Sequence, residues 1–148
     1  MRFFYSLILV AAFLGAETVV TKITWNDLPA AVQRAARKQK TPAGAPVSYV
    51  KLVRSGTTLF EMKINPADGH DQEIVFRADG TIEETEEAVS IESVPAPVKK
   101  AIEQAVQGGK LLKVDKILRD GKVFYEGEIV ENGTKKKPIF DPAGRRVD

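Results

Sequence analysis

The 148-residue chain contains no cysteine. That excludes disulfides, thiolate nucleophiles and cysteine-held zinc or iron–sulfur centres. It has one histidine, His70, so a site built on several imidazoles is excluded as well. Lysine and arginine exceed the acidic residues by only two charges, far short of the basic excess of a dedicated nucleic-acid binder. There is no Gly-x-Ser-x-Gly elbow, no His-Glu-x-x-His, no phosphate loop and no dinucleotide fingerprint. Each of those chemistries needs its residues at a fixed spacing. What remains is an ordinary globular composition, 43% apolar and 28% charged, that has to fold on a packed core without covalent staples.

Residues 1–16 read MRFFYSLILVAAFLGA: one early positive charge, an apolar run, then small residues. This is the pattern of a signal peptide cleaved after Ala16. The run is shorter than the roughly 20 residues a bilayer-spanning helix needs. The expectation is a periplasmic or secreted protein without stable membrane insertion after cleavage.

The rest reads as a repeat. Asp27-Leu28-Pro29-Ala30-Ala31-Val32 matches Ser93-Val94-Pro95-Ala96-Pro97-Val98 at an offset of 66. Leu52–Glu61 matches Ile117–Glu126 at 65, and Val75–Gly80 matches Ile139–Gly144 at 64. In each copy Asp27 or Ser93 is positioned to cap a helix with proline in its first turn. Leu28, Val32, Ala35 and Ala36 stripe the first helix; Val94, Val98, Ala101, Ile102, Ala105 and Val106 stripe the second. Ser55-Gly56, Asp68-Gly69, Asp120-Gly121 and Asn132-Gly133 mark turns between extended segments. The expected fold class is α+β: two tandem repeats of helix plus antiparallel β-meander, 17–88 and 89–148, with their sheets joined.

The order of motifs resembles the PepSY-like domain family, grouped with beta-lactamase-inhibitor-like proteins. The stretches that carry it are Leu28–Val32, Arg54–Gly56, Phe60–Lys63 and Phe76–Ile82, then Val94–Val98, Arg119–Gly121, Tyr125–Glu128 and Phe140–Val147. The second copy departs at Asp141-Pro142-Ala143-Gly144, where the first has Arg77-Ala78-Asp79-Gly80. The resemblance implies an exported binding module that inhibits or modulates other proteins. It supplies no catalytic residue.

Alternation locates a candidate surface. Phe60, Met62 and Ile64 alternate with Leu59, Glu61 and Lys63; Val123, Tyr125 and Ile129 alternate with Phe124, Glu126 and Glu128. The first set of each pair is expected in the core. The second sets, Leu59, Glu61, Lys63, Phe124, Glu126 and Glu128, mix apolar anchors with charge, the composition of a protein- or peptide-binding face; the other reading is that Leu59 and Phe124 cover loops or the junction between the copies. The alternative is a small-ligand or metal-ion sensor on the acidic run Glu83–Glu87 with Asp68, His70 and Asp71. Against it, Asp68-Gly69 with His70 and Asp71 also describes a solvated hairpin tip. No cofactor, no catalytic residue and no nucleic-acid partner is expected.

Overall fold

The structure is a computed structural model that describes residues 9–13 and 16–148. Of the expected signal segment, residues 1–8 and 14–15 lie outside the described residues. The described part is extended: β1 (Leu9–Phe13) pairs antiparallel with β2 (Ala16–Ile23).

Two compact units are present. The first takes the described residues up to Ala67 together with Glu73–Glu83, and the second takes Asp68–Gln72 and Glu84–Asp148. In the first, a 3-10 turn at Trp25–Asp27 leads to α1 (Ala30–Ala36), then β3 (Val47–Arg54), β4 (Thr57–Ile64) and β5 (Gln72–Arg77). Its strands lie in the order β1-β2-β3-β4-β5. In the second, β6 (Ile82–Val89) is followed by a 3-10 turn at Ile91–Ser93 and α2 (Ala96–Ala105), then β7 (Lys110–Arg119), β8 (Lys122–Glu131), β9 (Thr134–Lys136) and β10 (Ile139–Phe140). There β6 pairs β7, β7 pairs β8, and β9 and β10 share the far edge of β8.

The expected α+β class of two helix-plus-meander repeats is corrected. The described residues are mostly antiparallel sheet, ten strands against α-helices of 7 and 10 residues. The difference lies in the segments before each helix. Ala16–Ile23 and Ile82–Val89 are full strands of eight residues, not short leaders. Their backbone groups are paired along β3 and β7, and such pairing outweighs the weak strand propensity of a glutamate run. No helix among the described residues is long and apolar enough to cross a membrane.

Local chemistry explains the helix starts. Asp27 caps backward: its carboxylate accepts from the Thr24 backbone N–H at 2.8 Å and from the Thr24 hydroxyl at 2.7 Å. In the second unit Ser90, not Ser93, is the cap and it works forward, its hydroxyl oxygen accepting from the Glu92 backbone N–H at 3.2 Å. The α-helices proper then open behind Pro29 and Pro95, where a missing N–H costs nothing. The Ser55-Gly56 turn adopts φ of +50° and +78°, the paired left-handed geometry of a tight hairpin.

The core follows the alternation. Leu28, Val32 and Ala36 pack onto Phe60, Met62, Ile64, Ile74 and Phe76 in the first unit. Val94, Val98 and Ile102 pack with Val114 and Phe140 in the second, with Leu111 and Tyr125 against them. Trp25 packs at the edge of the first cluster, with its ring edge-on to Tyr49 at 5.7 Å and the Arg37 guanidinium 5.0 Å from its centre. A further cluster of Val50, Leu52, Leu59 and Val75, with Val20 against it, is buried on the alternate side of the same strands. Sheet and helix also meet by backbone contact. At Gly80 a Cβ would stand 2.6 Å from the Ala31 carbonyl oxygen, and at Gly144 2.5 Å from that of Pro97. Only glycine allows these turns to close on the helix starts.

Candidate functional site

The register of the second unit gathers charge on one sheet face. Asp115 stands opposite Glu126, Ile117 opposite Phe124 and Glu86, and Arg119 opposite Glu84. Cross-strand partners and their i±2 neighbours share a face. Glu84 and Glu86 of β6, Asp115 and Arg119 of β7, and Phe124 and Glu126 of β8 are therefore neighbours. Carboxylate oxygens of Glu86, Asp115 and Glu126 lie within 4.8 Å of one another. Glu126 and Asp115 are 0% and 1% exposed.

Three carboxylates at that spacing repel unless positive charge is close. Lysines supply it. The Lys137 ammonium is 2.8 Å from Glu126 and 3.8 Å from Glu128, and that of Lys113 is 3.1 Å from Asp115. Lys135 pairs with Glu128, and Arg119 with Glu84. The Arg119 guanidinium also lies 6.0 Å from the centre of the Phe124 ring, within reach of a cation–π attraction. Burial of the Lys137 ammonium pulls its pKa down. The charge and hydrogen bond of Glu126, aided by Glu86 and Glu128, override that and hold it above the ordinary lysine value. At Glu128 burial pushes upward, but Lys135, Lys137 and Lys113 hold the carboxyl below its usual range.

The six residues expected on the binding face fall into two sets. Phe124, Glu126 and Glu128 belong to this charged face. Phe124 and Glu128 are half-buried and Glu126 is fully buried. Leu59, Glu61 and Lys63 lie in the first unit. Leu59 is 1% exposed, inside the cluster of Val50, Leu52 and Val75. Glu61 is buried and pairs with Lys63 at 2.7 Å, and Lys63 also reaches Glu73 at 3.0 Å. Burial lowers the Lys63 pKa, but the two glutamates raise it further, so the net shift is upward. Sequence reasoning placed Glu84 and Glu86 in the acidic run 83–87 but did not bring Asp115, Arg119, Lys113 or Lys137 into one site with them. The available signal was Lys113, Asp115, Ile117 and Arg119 recurring at every second position of one strand.

The loop Asp68–Asp71 is a turn in which the Asp68 carboxylate accepts from the His70 backbone N–H at 3.1 Å. His70 is exposed and is not part of the carboxylate group. The first unit also carries an open cleft of about 600 Å³ beside the β3–β4 turn. It is lined by Arg54, Thr57, Thr58, Leu59, Arg77 and Glu83, among others. Within it Arg77 Nε donates to Glu83 at 2.9 Å.

No protein-family profile matches the chain, and no curated protein matches it. Solved structures do. A candidate periplasmic protein of Bacteroides eggerthii superposes with a TM-score of 0.61 at 19% identity, covering 82% of this chain and 86% of its own. A DUF2874 family protein of Bacteroides uniformis gives 0.60 at 20% identity, covering 81% and 86%. A BLIP-like protein of Bacteroides fragilis gives 0.54 at 20% identity, covering 80% and 82%. At these identities the likeness is one of fold, and it runs over most of the chain.

Proposed function

We propose that this chain is an exported, non-enzymatic binding module that holds a protein or peptide partner on its sheet. The observation that carries the proposal is the charged face of the second unit. Buried ion pairs are poor devices for stability, because desolvation offsets their attraction. A sheet that places Asp115 and Glu126 where apolar residues would pack gives up stability. In return it gains a fixed charge pattern around an aromatic residue, Phe124. Such a pattern selects a partner of complementary charge and sets its register.

The likeness to proteins described as periplasmic and BLIP-like supports export and binding. So does the signal-like segment at 1–16. A role in inhibiting or modulating an envelope enzyme, and descent of the two units from PepSY-like copies, extend the same reading.

The test is capture of a partner from the envelope and secreted fractions of the native host, with Phe124→Glu as the control. Leu59→Glu is unsuitable as a control, since a charge at a fully buried position tests folding. A partner retained by the native chain and lost from Phe124→Glu supports the proposal; equal retention by both overturns the role of this face. The second reading, a cation sensor, rests on the carboxylates of Glu86, Asp115 and Glu126. It requires a melting shift with added Ca²⁺ or Zn²⁺ that Glu126→Gln abolishes.

A further inference from the structure

β2 has two pairing edges, and both are in use. One is held by β3, from Thr18 opposite Arg54 to Ile23 opposite Tyr49. The other is held by β1, from Leu9 opposite Val20 to Phe13 opposite Ala16. β1 is Leu9-Val10-Ala11-Ala12-Phe13, uncharged and apolar. It is also the centre of the run that reads as the hydrophobic part of a signal peptide. The same five residues thus have two uses that exclude each other. They can direct export and be cut away, or they can cover a sheet edge.

Resting on the exported reading above, we infer that removal of residues 1–16 uncovers the outer edge of β2, and that this edge takes an extended, uncharged apolar strand of a partner protein. The partner strand adds antiparallel, in the register that β1 holds. The backbone shows an occupant in place, a strand paired along Ala16–Val20 whose sequence is apolar, and Glu17–Val20 of that seat remain once residues 1–16 are gone. The seat extends beyond it. Thr21, Lys22 and Ile23 are paired to β3 but have no partner in β1 among the described residues. An incoming strand longer than β1 therefore gains further backbone hydrogen bonds.

The edge also lacks most of the usual protection. Exposed edges are commonly blunted by proline, bulges or central charges. The stretch Glu17-Thr18-Val19-Val20-Thr21-Lys22-Ile23 has no proline, its register against β3 is unbroken from Thr18 to Ile23, and its charges sit near its two ends. Val19, in its middle, is 40% exposed. Strand addition draws affinity from the main chain and specificity from alternate side chains. An apolar neighbour to Val19 satisfies both.

The experiment uses the chain purified from its native host after export, with its intact mass read first. A fluorescent peptide of residues 7–13, carrying a lysine tail for solubility, is titrated into it. Two further peptides carry N-methyl groups at alternate residues of opposite parity. In an added strand every second N–H faces the host sheet. The expected result is loss of residues 1–16, saturable binding, and at least a tenfold weakening for one methylated parity and not the other. Retention of residues 1–16, absence of saturable binding, or equal response to both methylated peptides overturns the inference. A concentration-dependent dimer that the peptide dissociates also overturns it, by assigning the edge to a second copy of this chain. Failure here, with a Phe124-dependent partner still captured, removes the edge and leaves the charged face standing. The opposite pair of results removes the face and keeps the edge.

Discussion

The Lys137 ammonium lies 2.8 Å from the carboxylate of Glu126, a residue with no exposed surface at all. Lys137 itself is 41% exposed at its side chain, so the pair joins a buried charge to a solvated one. Losing a partner of a fully buried pair costs roughly 3–5 kcal/mol. Solvent screening at Lys137 reduces that, and Lys137→Met is expected to cost about 1–3 kcal/mol in urea unfolding. Glu126→Gln combined with Lys137→Met is expected to restore part of the loss, because no buried charge is then left without its ammonium.

The same lysine sets an alkaline limit. Its folded pKa is raised above the ordinary 10.5. Its contribution is fully present below 10.5 and is lost as pH rises through the higher folded value. Lys137→Met is therefore expected to flatten the fall in melting temperature above about pH 10.5. A fall identical to that of the native chain would show that this pair is not its source.

At the acid end the turn carboxylates contribute. The Arg145 backbone N–H and side chain hold Asp141 below its ordinary value of 3.8. Thr81 does the same for Asp79, through its backbone and then its hydroxyl. A depressed folded pKa gives stability above the ordinary value that disappears as pH falls through the folded one. Asp141→Asn is expected to melt earlier at neutral pH and to lose less between pH 4 and 2 than the native chain, as read by circular dichroism.

Gly80 and Gly56 form a matched pair for testing turn closure. Both have positive φ, +86° and +78°. A Cβ at Gly56 meets nothing within 4 Å, whereas one at Gly80 meets the Ala31 carbonyl oxygen at 2.6 Å. Gly56→Ala is expected to cost roughly 1–2 kcal/mol for the left-handed backbone alone. Gly80→Ala is expected to add roughly 1–3 kcal/mol more, since helix or turn has to move. Equal costs in denaturant titration would contradict the close approach.

Leu59 and Phe124 were expected to act alike, and the structure separates them. Leu59→Ala removes buried contacts with its neighbours in the Val50, Leu52 and Val75 cluster and is expected to cost roughly 2–5 kcal/mol. Phe124→Ala, at a half-buried position, is expected to cost less stability and more partner binding. Thermal melts and capture assays on the two variants check this directly.

The sequence by itself determined what depends on neighbours along the chain. Ser55-Gly56 dictates its hairpin through the φ values those residues tolerate. Pro29 and Pro95 position the helix starts, and the alternation of Phe60, Met62 and Ile64 identifies the face that α1 covers. Only the tertiary structure decided what depends on register between distant strands. Nothing local places Asp115 beside Glu126, or brings Glu86 to both. Nothing local shows that the glutamate run 83–87 is a strand whose charges Arg119 and Lys116 meet. Leu59 alternates like a surface residue yet is buried, because a strand packed on both faces has no solvent side. Turn and cap energies are set within a few residues, while the dielectric around a carboxylate is set by whatever strand pairing brings against it.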